Sequence, residues 1–346
     1  MNNGLFISPY SHGTSFLDII ESIKVSAKKH SWDIVSIGGK ESSTPSKIKD
    51  NFLDAEGDVL AYYRDFGTLL SNSDKFKSIL FIDFFSPGID ILQYLLEIKG
   101  KNIKLGALLH GGSFLPRDLY VWPRLKYSEN LRFSIFDIIY VPSKHLYNLV
   151  PDVFKGKVKI LPWGMDSFLS KKPLSEEEKN IDILFPHRLD DDKGIDDLIF
   201  LISKLRNYTF VITSFRSLEN NKYYKRLKIY KNVRFVFGEN EEQHLHTLSK
   251  AKIVLSCAYQ ENFGYGIVKS VLSGAIPILP DREVYSELFP GDFLYSTLDG
   301  AAKKITTILE NKDEYSLLSK KIKKTCMTLL GFSFSKILKD FYKFKG

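Results

Sequence analysis

The chain has 346 residues, 44% of them hydrophobic and 26% charged, which is an ordinary composition for a globular protein large enough to form two domains. Its two cysteines, Cys257 and Cys326, exclude a disulfide framework. No apolar run reaches the ~18 residues that span a bilayer, and the amino terminus lacks the pattern of a signal peptide, so we expect a cytoplasmic protein.

The net charge of +8 comes mostly from residues 301–346, where 11 basic residues stand against 4 acidic ones. Such a cluster is typical of a surface that meets a polyanion or an anionic membrane, and equally of a solvated helix face.

Short apolar strands alternate with amphipathic helices along the first half of the chain. Strands are predicted over 4–8, 32–37, 78–83, 103–109, 138–141 and 158–161, and helices over 15–29, over 89–98 and from 144. Strands joined by helical crossovers indicate a parallel sheet with right-handed connections.

The same alternation restarts after an acidic, lysine-rich segment, 167–180, which is interpreted as a linker. Strands are predicted over 181–185, 209–213, 233–236, 253–256 and 276–279, and helices over 195–204, 222–228, 241–249 and 266–273. The chain is therefore expected to be an α/β protein with two domains.

The segment Glu261-Asn-Phe-Gly264-Tyr-Gly266 lies between a strand and a helix in the second half. Ligands of open α/β sheets bind outside the carboxyl ends of strands, and a helix start offers N–H groups to an anion. We expect the backbone of Phe263, Gly264 and Tyr265 to lie near a sugar or phosphate, while Glu261 accepts hydrogen bonds from sugar hydroxyls. Alternatively, Glu261 is an acid that stabilises the helix dipole.

A basic loop follows the strand 181–185, with Arg188 and, five residues later, Lys193. A planar guanidinium and a compact ammonium at this place can stabilise the charge that develops on a departing diphosphate. The alternative is a solvated loop with a Lys-Gly helix start. The acids 190–192 between the two cations are expected to start the next helix rather than to bind a metal, and no His/Cys cluster has the spacing of zinc ligands.

Both loops, with the amino-terminal loop Ser8-Pro-Tyr-Ser-His12-Gly13-Thr14-Ser15, resemble the retaining family 4 of the GT-B glycosyltransferases. The resemblance implies two Rossmann-like domains facing a cleft, with an acceptor domain over 1–166, a nucleotide-sugar domain over 181–331 and a carboxyl-terminal helix over 332–346 that crosses back to the first domain. It implies a UDP- or GDP-linked sugar as co-substrate, and neither a cofactor nor a required metal.

Individual site residues also follow from this resemblance. His110, which opens the turn His110-Gly-Gly-Ser113, corresponds to a histidine that reaches the donor sugar; a polar residue satisfied at a strand end is the alternative. Gly13 and Thr14 would present hydrogen-bond donors to phosphate at a helix start. The family usually has a second glutamate eight residues after the first, on the donor ribose. Lys269 stands there instead and has no acceptor. Either another acid such as Glu283 takes this role, or the nucleotide is held differently.

A narrower resemblance covers residues 181–300. The variant Pro186-His187-Arg188 and the stretch 284–297 are similar to the tRNA-queuosine mannosyltransferases. This implies transfer of a hexosyl or pentosyl group to a modified nucleic-acid base, either a hydroxymethylpyrimidine of DNA or a modified tRNA base. The basic tail would track phosphates, and Tyr120, Trp122 and Tyr127 would stack an extruded base.

Two other interpretations remain open at the level of sequence. The acceptor could be a cell-surface glycan or a lipid-linked sugar, with the basic tail in peripheral contact with the membrane. The chain could also be an inactive protein that binds nucleotide sugars or nucleic acid, for which Lys269 is the main argument.

Overall fold

The computed structural model describes residues 2–7, 14–30, 34–37, 57–86, 88–115, 123–169, 179–214 and 221–344. The chain divides into two compact units, Met1–Ser170 together with Phe332–Gly346, and Lys171–Gly331. The chain therefore returns to the amino-terminal unit at Phe332. Within the described ranges, no helix is long and apolar enough to cross a membrane.

The amino-terminal unit contains a six-stranded parallel sheet in the order β2-β1-β3-β4-β5-β6. Its strands are β1 Asn2–Phe6, β2 Ile34–Ile37, β3 Phe76–Phe81, β4 Lys104–Leu108, β5 Ile138–Val141 and β6 Val158–Ile160. Its helices are α1 Thr14–Lys29, α2 Gly57–Asn72, α3 Ile89–Ile98, α4 Pro123–Ile135, α5 Lys144–Leu149 and α6 Asp166–Leu169, with a last helix at Phe334–Lys343. The strand order reverses direction between β1 and β3.

The core of this unit is rich in aromatic side chains. Phe81, Phe84 and Phe136 are fully buried, and the Phe136 ring lies 5.7 Å from that of Phe81 and 5.6 Å from that of Phe84, centre to centre. The central strands β4 and β5 are buried from residue 105 to 108 and from 138 to 141, as expected for a parallel sheet that is covered on both faces.

The helix Phe334–Lys343 packs on the amino-terminal unit through Phe334, Ile337, Leu338 and Phe341, all buried. Its start is fixed by Asp166, which accepts hydrogen bonds from Ser333 Oγ at 2.6 Å and Phe334 N at 2.9 Å. A Cβ at Gly106 would lie 2.6 Å from the Phe341 ring, so the glycine in β4 makes room for this helix.

The carboxyl-terminal unit contains a second six-stranded parallel sheet, in the order β12-β11-β10-β7-β8-β9. Its strands are β7 Ile181–Phe185, β8 Phe210–Ser214, β9 Val233–Phe237, β10 Ala251–Leu255, β11 Ile276–Pro280 and β12 Leu294–Tyr295. Its helices are α7 Ile195–Lys204, α8 Lys222–Leu227, α9 Glu241–Ser249, α10 Tyr265–Leu272, α11 Tyr285–Leu288, α12 Leu298–Glu310 and α13 Lys312–Leu330. Counted from its first strand, the order is that of a doubly wound nucleotide-binding sheet, and it reverses between β7 and β10.

Candidate active site

Two loops meet where the strand order of the carboxyl-terminal unit reverses. The first follows β7 and ends in a 3₁₀ turn, Asp191–Lys193, and the second follows β10. The backbone N–H of Tyr259 donates to Asp192 O at 2.8 Å. Gly194 has a φ of 65°, and a Cβ there would collide with Cys257 O. The close approach of the two loops therefore depends on a glycine at this position.

Lys193 connects the loops through its ammonium group. Its Nζ lies 3.2 Å from Glu261 Oε2, 3.0 Å from Asp192 Oδ2 and 3.0 Å from the Gln260 carbonyl oxygen. Lys193 is only 8% exposed, so this cation is buried among its partners. The structure thus brings together two of the residues to which the sequence assigned site roles, although they lie 68 positions apart.

Both members of this pair keep their charge. Burial opposes ionisation of Glu261, but Lys193 and the other nearby cationic groups outweigh it and hold the pKa of Glu261 below its ordinary value. Burial likewise opposes the charge of Lys193, and Glu261 and Asp192 outweigh it, so the pKa of Lys193 is raised. Burial and the charge of Lys193 lower the pKa of the neighbouring His187 to about 4, although Glu261 and Asp192 act to raise it, and the ring is therefore neutral.

Arg188 also lies in this cluster, with a side chain that is 41% exposed. Its guanidinium pairs with Asp190 and, at 3.4 Å, with Asp192. Asp191 points away from it, pairing with Lys222 at 2.7 Å and accepting from the Tyr223 hydroxyl.

The acids 190–192 start the 3₁₀ turn Asp191–Lys193 but not the following α-helix. That helix, α7, begins only at Ile195, because Gly194 in the left-handed region separates it from the acids. No group of His, Cys, Asp or Glu side chains that could hold a metal ion occurs within the described ranges.

The segment from Glu261 to Tyr265 forms the start of α10. Gly264, with a φ of 79°, precedes the helix, and its N–H donates to Glu261 Oε1 at 3.0 Å. Glu261 therefore pairs with Lys193 and accepts from the backbone N–H just before the helix, close to the helix start as one of the two interpretations expected. Its contact with sugar hydroxyls stays a prediction. Phe263 and Tyr265 bury their rings, with the centroids 4.9 Å apart, which leaves their backbone for any contact with a ligand.

Lys269 and Glu283 belong to the same region. Lys269 is buried within α10, 3% exposed. Glu283 adopts a φ of 58°, which a residue other than glycine rarely does and which costs about 1 kcal/mol or more.

The sequence did not predict a set of side-chain hydrogen bonds that hold the turn after β10. The Tyr285 hydroxyl donates to Ser256 Oγ at 2.9 Å, and the Tyr295 hydroxyl donates to Ser256 O at 2.9 Å. Arg282 donates to the carbonyl oxygens of Ala258 at 2.9 Å and Cys257 at 3.0 Å. These bonds satisfy the polar backbone of the turn that carries Glu261, and only the clustering of tyrosines after β11 could have indicated them.

His110 lies in the amino-terminal unit, two residues beyond the end of β4. Its Nε2 is 2.6 Å from Ile82 O, and its ring packs 4.9 Å from Phe16 and 4.5 Å from Trp163, centre to centre. Burial lowers the pKa of His110, so this ring is also neutral near pH 7. Several contacts thus fix its orientation.

The turn after His110 is held by Glu129 on α4, a residue to which the sequence analysis gave no role. Ser113 donates to it from both its backbone N, at 2.8 Å, and its hydroxyl. A Cβ at Gly112 would lie 2.5 Å from Glu129 Oε1, so this carboxylate needs the glycine. Burial raises the pKa of Glu129.

For the remaining predicted site residues, the structure gives at most a position on a helix or an exposure. Gly13, with His12, Tyr120 and Trp122, lies outside the described residues. Thr14 is the first residue of α1. Tyr127 lies on α4 and is 82% exposed.

Comparison with known proteins identifies the class. Residues 166–325 match the family described as "Glycosyl transferases group 1". Over its whole length the chain superposes on sucrose-phosphate synthase from Thermosynechococcus elongatus, with a TM-score of 0.74, 13% identity and coverage of 99% and 98% of the two chains. It also superposes on WaaG, a glycosyltransferase involved in lipopolysaccharide biosynthesis, with a TM-score of 0.64, 12% identity and coverage of 99% and 100%. The chain therefore has the GT-B fold, and residues 166–325 form a group 1 glycosyl transferase domain.

Two curated relatives have names that specify an activity, but each of them aligns with only a part of this chain. Over 136 residues the chain is 32% identical to a tRNA-queuosine alpha-mannosyltransferase of Drosophila melanogaster, which is 37% of this chain and 36% of that protein. Over 102 residues it is 31% identical to a GDP-Man:Man(3)GlcNAc(2)-PP-Dol alpha-1,2-mannosyltransferase of Dictyostelium discoideum, which is 28% of this chain and 20% of that protein. The chain thus spans about a third and a fifth of the lengths of these two relatives.

Proposed function

We propose that the protein is a retaining glycosyltransferase that moves a sugar from a nucleotide sugar to a hydroxyl on a modified nucleic-acid base. The observation that carries the proposal is the buried Lys193–Glu261 pair, at the strand reversal of a group 1 glycosyl transferase domain. The nucleic-acid acceptor is supported by the 32% identity with a tRNA-queuosine mannosyltransferase.

Departure of a nucleoside diphosphate leaves negative charge on phosphate oxygens, and fixed cations lower that barrier. Lys193 fits this role because burial strengthens its field and its carboxylate partners keep it charged. Arg188 adds a planar fork on the same loop. Its present partners Asp190 and Asp192 are anions, so a phosphate group exchanges with them and the guanidinium is never left without a counter-ion.

Glu261 is suited to orient the sugar. One carboxylate oxygen accepts from Gly264 N and the other from Lys193, so both are fixed in place. Each oxygen retains a lone pair for a sugar hydroxyl. Since fixed acceptors lose little entropy on binding, the carboxylate gives orientation as well as affinity.

In the proposed reaction the acceptor hydroxyl attacks on the face from which the diphosphate departs, and a departing phosphate oxygen takes its proton. No enzyme nucleophile is needed, and neither is a metal, because Arg188 and Lys193 supply the positive charge. His110 contributes a neutral ring that can hydrogen-bond the sugar. Lys269 in place of the usual glutamate implies that the ribose of a UDP- or GDP-linked donor is held by other groups.

A second candidate is transfer to a lipid-linked sugar. It is favoured by the 31% identity to an enzyme whose name specifies a dolichol-linked acceptor, and by the basic carboxyl-terminal segment, which would lie on an anionic membrane.

The test is hydrolysis and transfer with a panel of UDP-, GDP- and ADP-sugars, each with hydroxymethylated phage DNA, bulk tRNA or lipid extract. We expect turnover of one donor, stimulated by one nucleic acid and lost in Glu261→Ala. Glu242→Ala, an exposed acid on α9, is the matched control and should retain wild-type turnover. Stimulation by lipid extract alone would transfer the proposal to the lipid-linked acceptor, and no turnover of any donor would refute enzymatic activity.

A further inference from the structure

Asp83 lies where the strand order of the amino-terminal sheet reverses, although neither the resemblance nor the composition drew attention to it. It is two residues beyond the end of β3, as His110 is two residues beyond the end of the neighbouring strand β4. Side chains at such strand ends face the crevice in which α/β proteins bind ligands.

The Asp83 carboxyl is buried with few partners. The residue is 6% exposed, and one of its carboxyl oxygens, Oδ1, accepts from Phe85 N at 2.9 Å. The other oxygen, Oδ2, is not among the buried side-chain atoms that lack a partner within the described ranges, so it stays accessible to a donor from outside the protein. Burial of a carboxylate is costly, so a role beyond stability would explain why Asp83 is there.

The charged groups around Asp83 do not relieve this cost. The Arg132 guanidinium donates to the carbonyl oxygens of Ser86 at 2.6 Å and Phe84 at 3.3 Å, so it holds the Asp83 loop by its backbone. His110 donates to Ile82 O through Nε2–H. Burial raises the pKa of Asp83 even though His110, the Phe85 N–H and Arg132 all act to lower it.

We propose that the Asp83 carboxyl, with the neighbouring His110 imidazole, forms a hydroxyl-binding site in the amino-terminal unit, in which Oδ2 accepts a hydrogen bond from a substrate hydroxyl. This inference rests on the proposed glycosyl transfer. The hydroxyl belongs either to the transferred sugar or to the acceptor, and both sources offer the same chemistry.

A hydroxyl fits this place better than a cation or a phosphate. A phosphate would add negative charge beside a carboxyl that is already poorly solvated. A cation would need more ligands than one carboxyl, and the described residues contain no group of three or more His, Cys, Asp or Glu side chains that could hold a metal ion. A hydroxyl supplies a hydrogen-bond donor to Oδ2 and brings no net charge.

A substrate-binding role of Asp83 and a purely structural role predict different effects of the Asp83→Asn substitution. Asp83→Asn keeps the shape and the acceptor for Phe85 N but removes the buried charge. If Asp83 binds substrate, the variant should melt at the same or a higher temperature than the wild type while its KM for one substrate rises ~10-fold or more. A structural residue would lose stability as well.

A direct test follows the Asp83 ¹³Cγ signal by NMR in protein labelled at aspartate. Asp83→Asn identifies the signal by its loss, and Asp90→Asn, an exposed aspartate at the start of α3, is the control that retains it. The protein is titrated with UDP and GDP, with UDP-glucose and GDP-mannose, and with bulk tRNA and hydroxymethylated phage DNA.

We expect the signal to move with a sugar nucleotide but not with its nucleoside diphosphate, or to move with a nucleic acid. The first result assigns the hydroxyl to the donor sugar and the second to the acceptor. A signal that moves with none of these probes overturns the inference, even if the protein transfers sugar. Absence of turnover refutes the proposed function instead, so the two failures are distinguishable.

Discussion

The two units both place polar side chains at the point where the strand order reverses, but they differ in whether those side chains are stabilised in their charged forms. Each has a parallel sheet whose strand order reverses once, and each places polar side chains just beyond the strand ends at that point. In the carboxyl-terminal unit, Lys193 and Glu261 are paired and both stay ionised. In the amino-terminal unit, burial shifts the pKa values of Asp83 and His110 towards their neutral forms. Paired charges suit a diphosphate, and groups whose ionisation is opposed by burial suit hydroxyl groups, which bring no net charge.

The largest expected effect comes from breaking the charged pair. Lys193→Met leaves Glu261 buried without its partner, which should cost ~3–5 kcal/mol of unfolding free energy and abolish donor turnover. The measurement is urea denaturation together with sugar-nucleotide hydrolysis. Lys204→Met, an exposed lysine on α7, should be close to wild type.

The double variant Lys193→Met/Glu261→Leu separates the two roles of the pair. An apolar pair of similar volume should recover most of the lost stability without recovering activity. Recovery of activity in the double variant would show that the pair is structural only.

The pH dependence of stability should distinguish the two units by its sign. Glu261 has a lowered pKa, so its stabilisation is present above the ordinary value of 4.5 and is lost as the pH falls through its folded pKa. Glu261→Gln should therefore cost ~3 kcal/mol near pH 7 and progressively less in acid.

Asp83 should behave in the opposite way. Its folded pKa is raised, so the native state is favoured below the ordinary value of 3.8 and loses stability as the pH rises through the folded pKa. The gain from Asp83→Asn should thus be present near pH 7 and vanish in acid. Guanidinium denaturation from pH 3 to pH 7 tests both variants, and effects of equal sign would contradict the contrast between the units.

A backbone substitution tests how closely the loops of the carboxyl-terminal unit approach. Gly194→Ala meets both a left-handed φ of 65° and the Cys257 carbonyl oxygen, and should cost ~2 kcal/mol or more with a loss of donor binding. Gly238→Ala has a φ of 66° and nothing within 4 Å, so it should cost only the conformational strain of ~1 kcal/mol. Equal losses in the two variants, measured by thermal and chemical unfolding, would contradict the role given to loop contact.

The smallest effect is expected at the exposed edge of the charged site. Asp190→Asn removes one partner of the half-exposed Arg188, so stability should change by less than about 1 kcal/mol. Affinity for a nucleoside diphosphate should rise a few-fold, because the phosphate no longer competes with this carboxylate. Titration calorimetry at low and high salt measures the gain, and a weaker affinity would refute the exchange of partners.

Much of the fold could be predicted from local sequence. The strands Ile138–Val141 and Ile181–Phe185 and the helices Ile195–Lys204 and Glu241–Ser249 have the predicted bounds, because apolar runs with one clear period are bounded by polar residues. The strands predicted over 4–8 and 78–83 begin two residues earlier, as strand ends often do. The resemblance to GT-B family 4 rested on three loops. Two of them lie at the strand reversal of the carboxyl-terminal unit, and most of the third, residues 8–15, lies outside the described residues.

Other elements could not be predicted because long-range contacts decide them. The helix Pro123–Ile135 was not predicted, since it is polar on most sides and even its inward-facing Glu129 is charged. The hydrogen bond that Glu129 accepts from Ser113 satisfies this buried carboxylate, and the helix sequence alone does not indicate it. The helix Gly57–Asn72 was likewise not predicted.

The sequence by itself determined the chemistry of this protein: which loops carry cations, acids and glycines, and that each follows an apolar strand. Only the tertiary structure decided which of these residues act together. Lys193 meets Glu261 because β7 lies beside β10 in the sheet, and Asp83 lies near His110 because β3 lies beside β4. Burial then sets the charge of each group, and burial depends on neighbours that are distant in sequence.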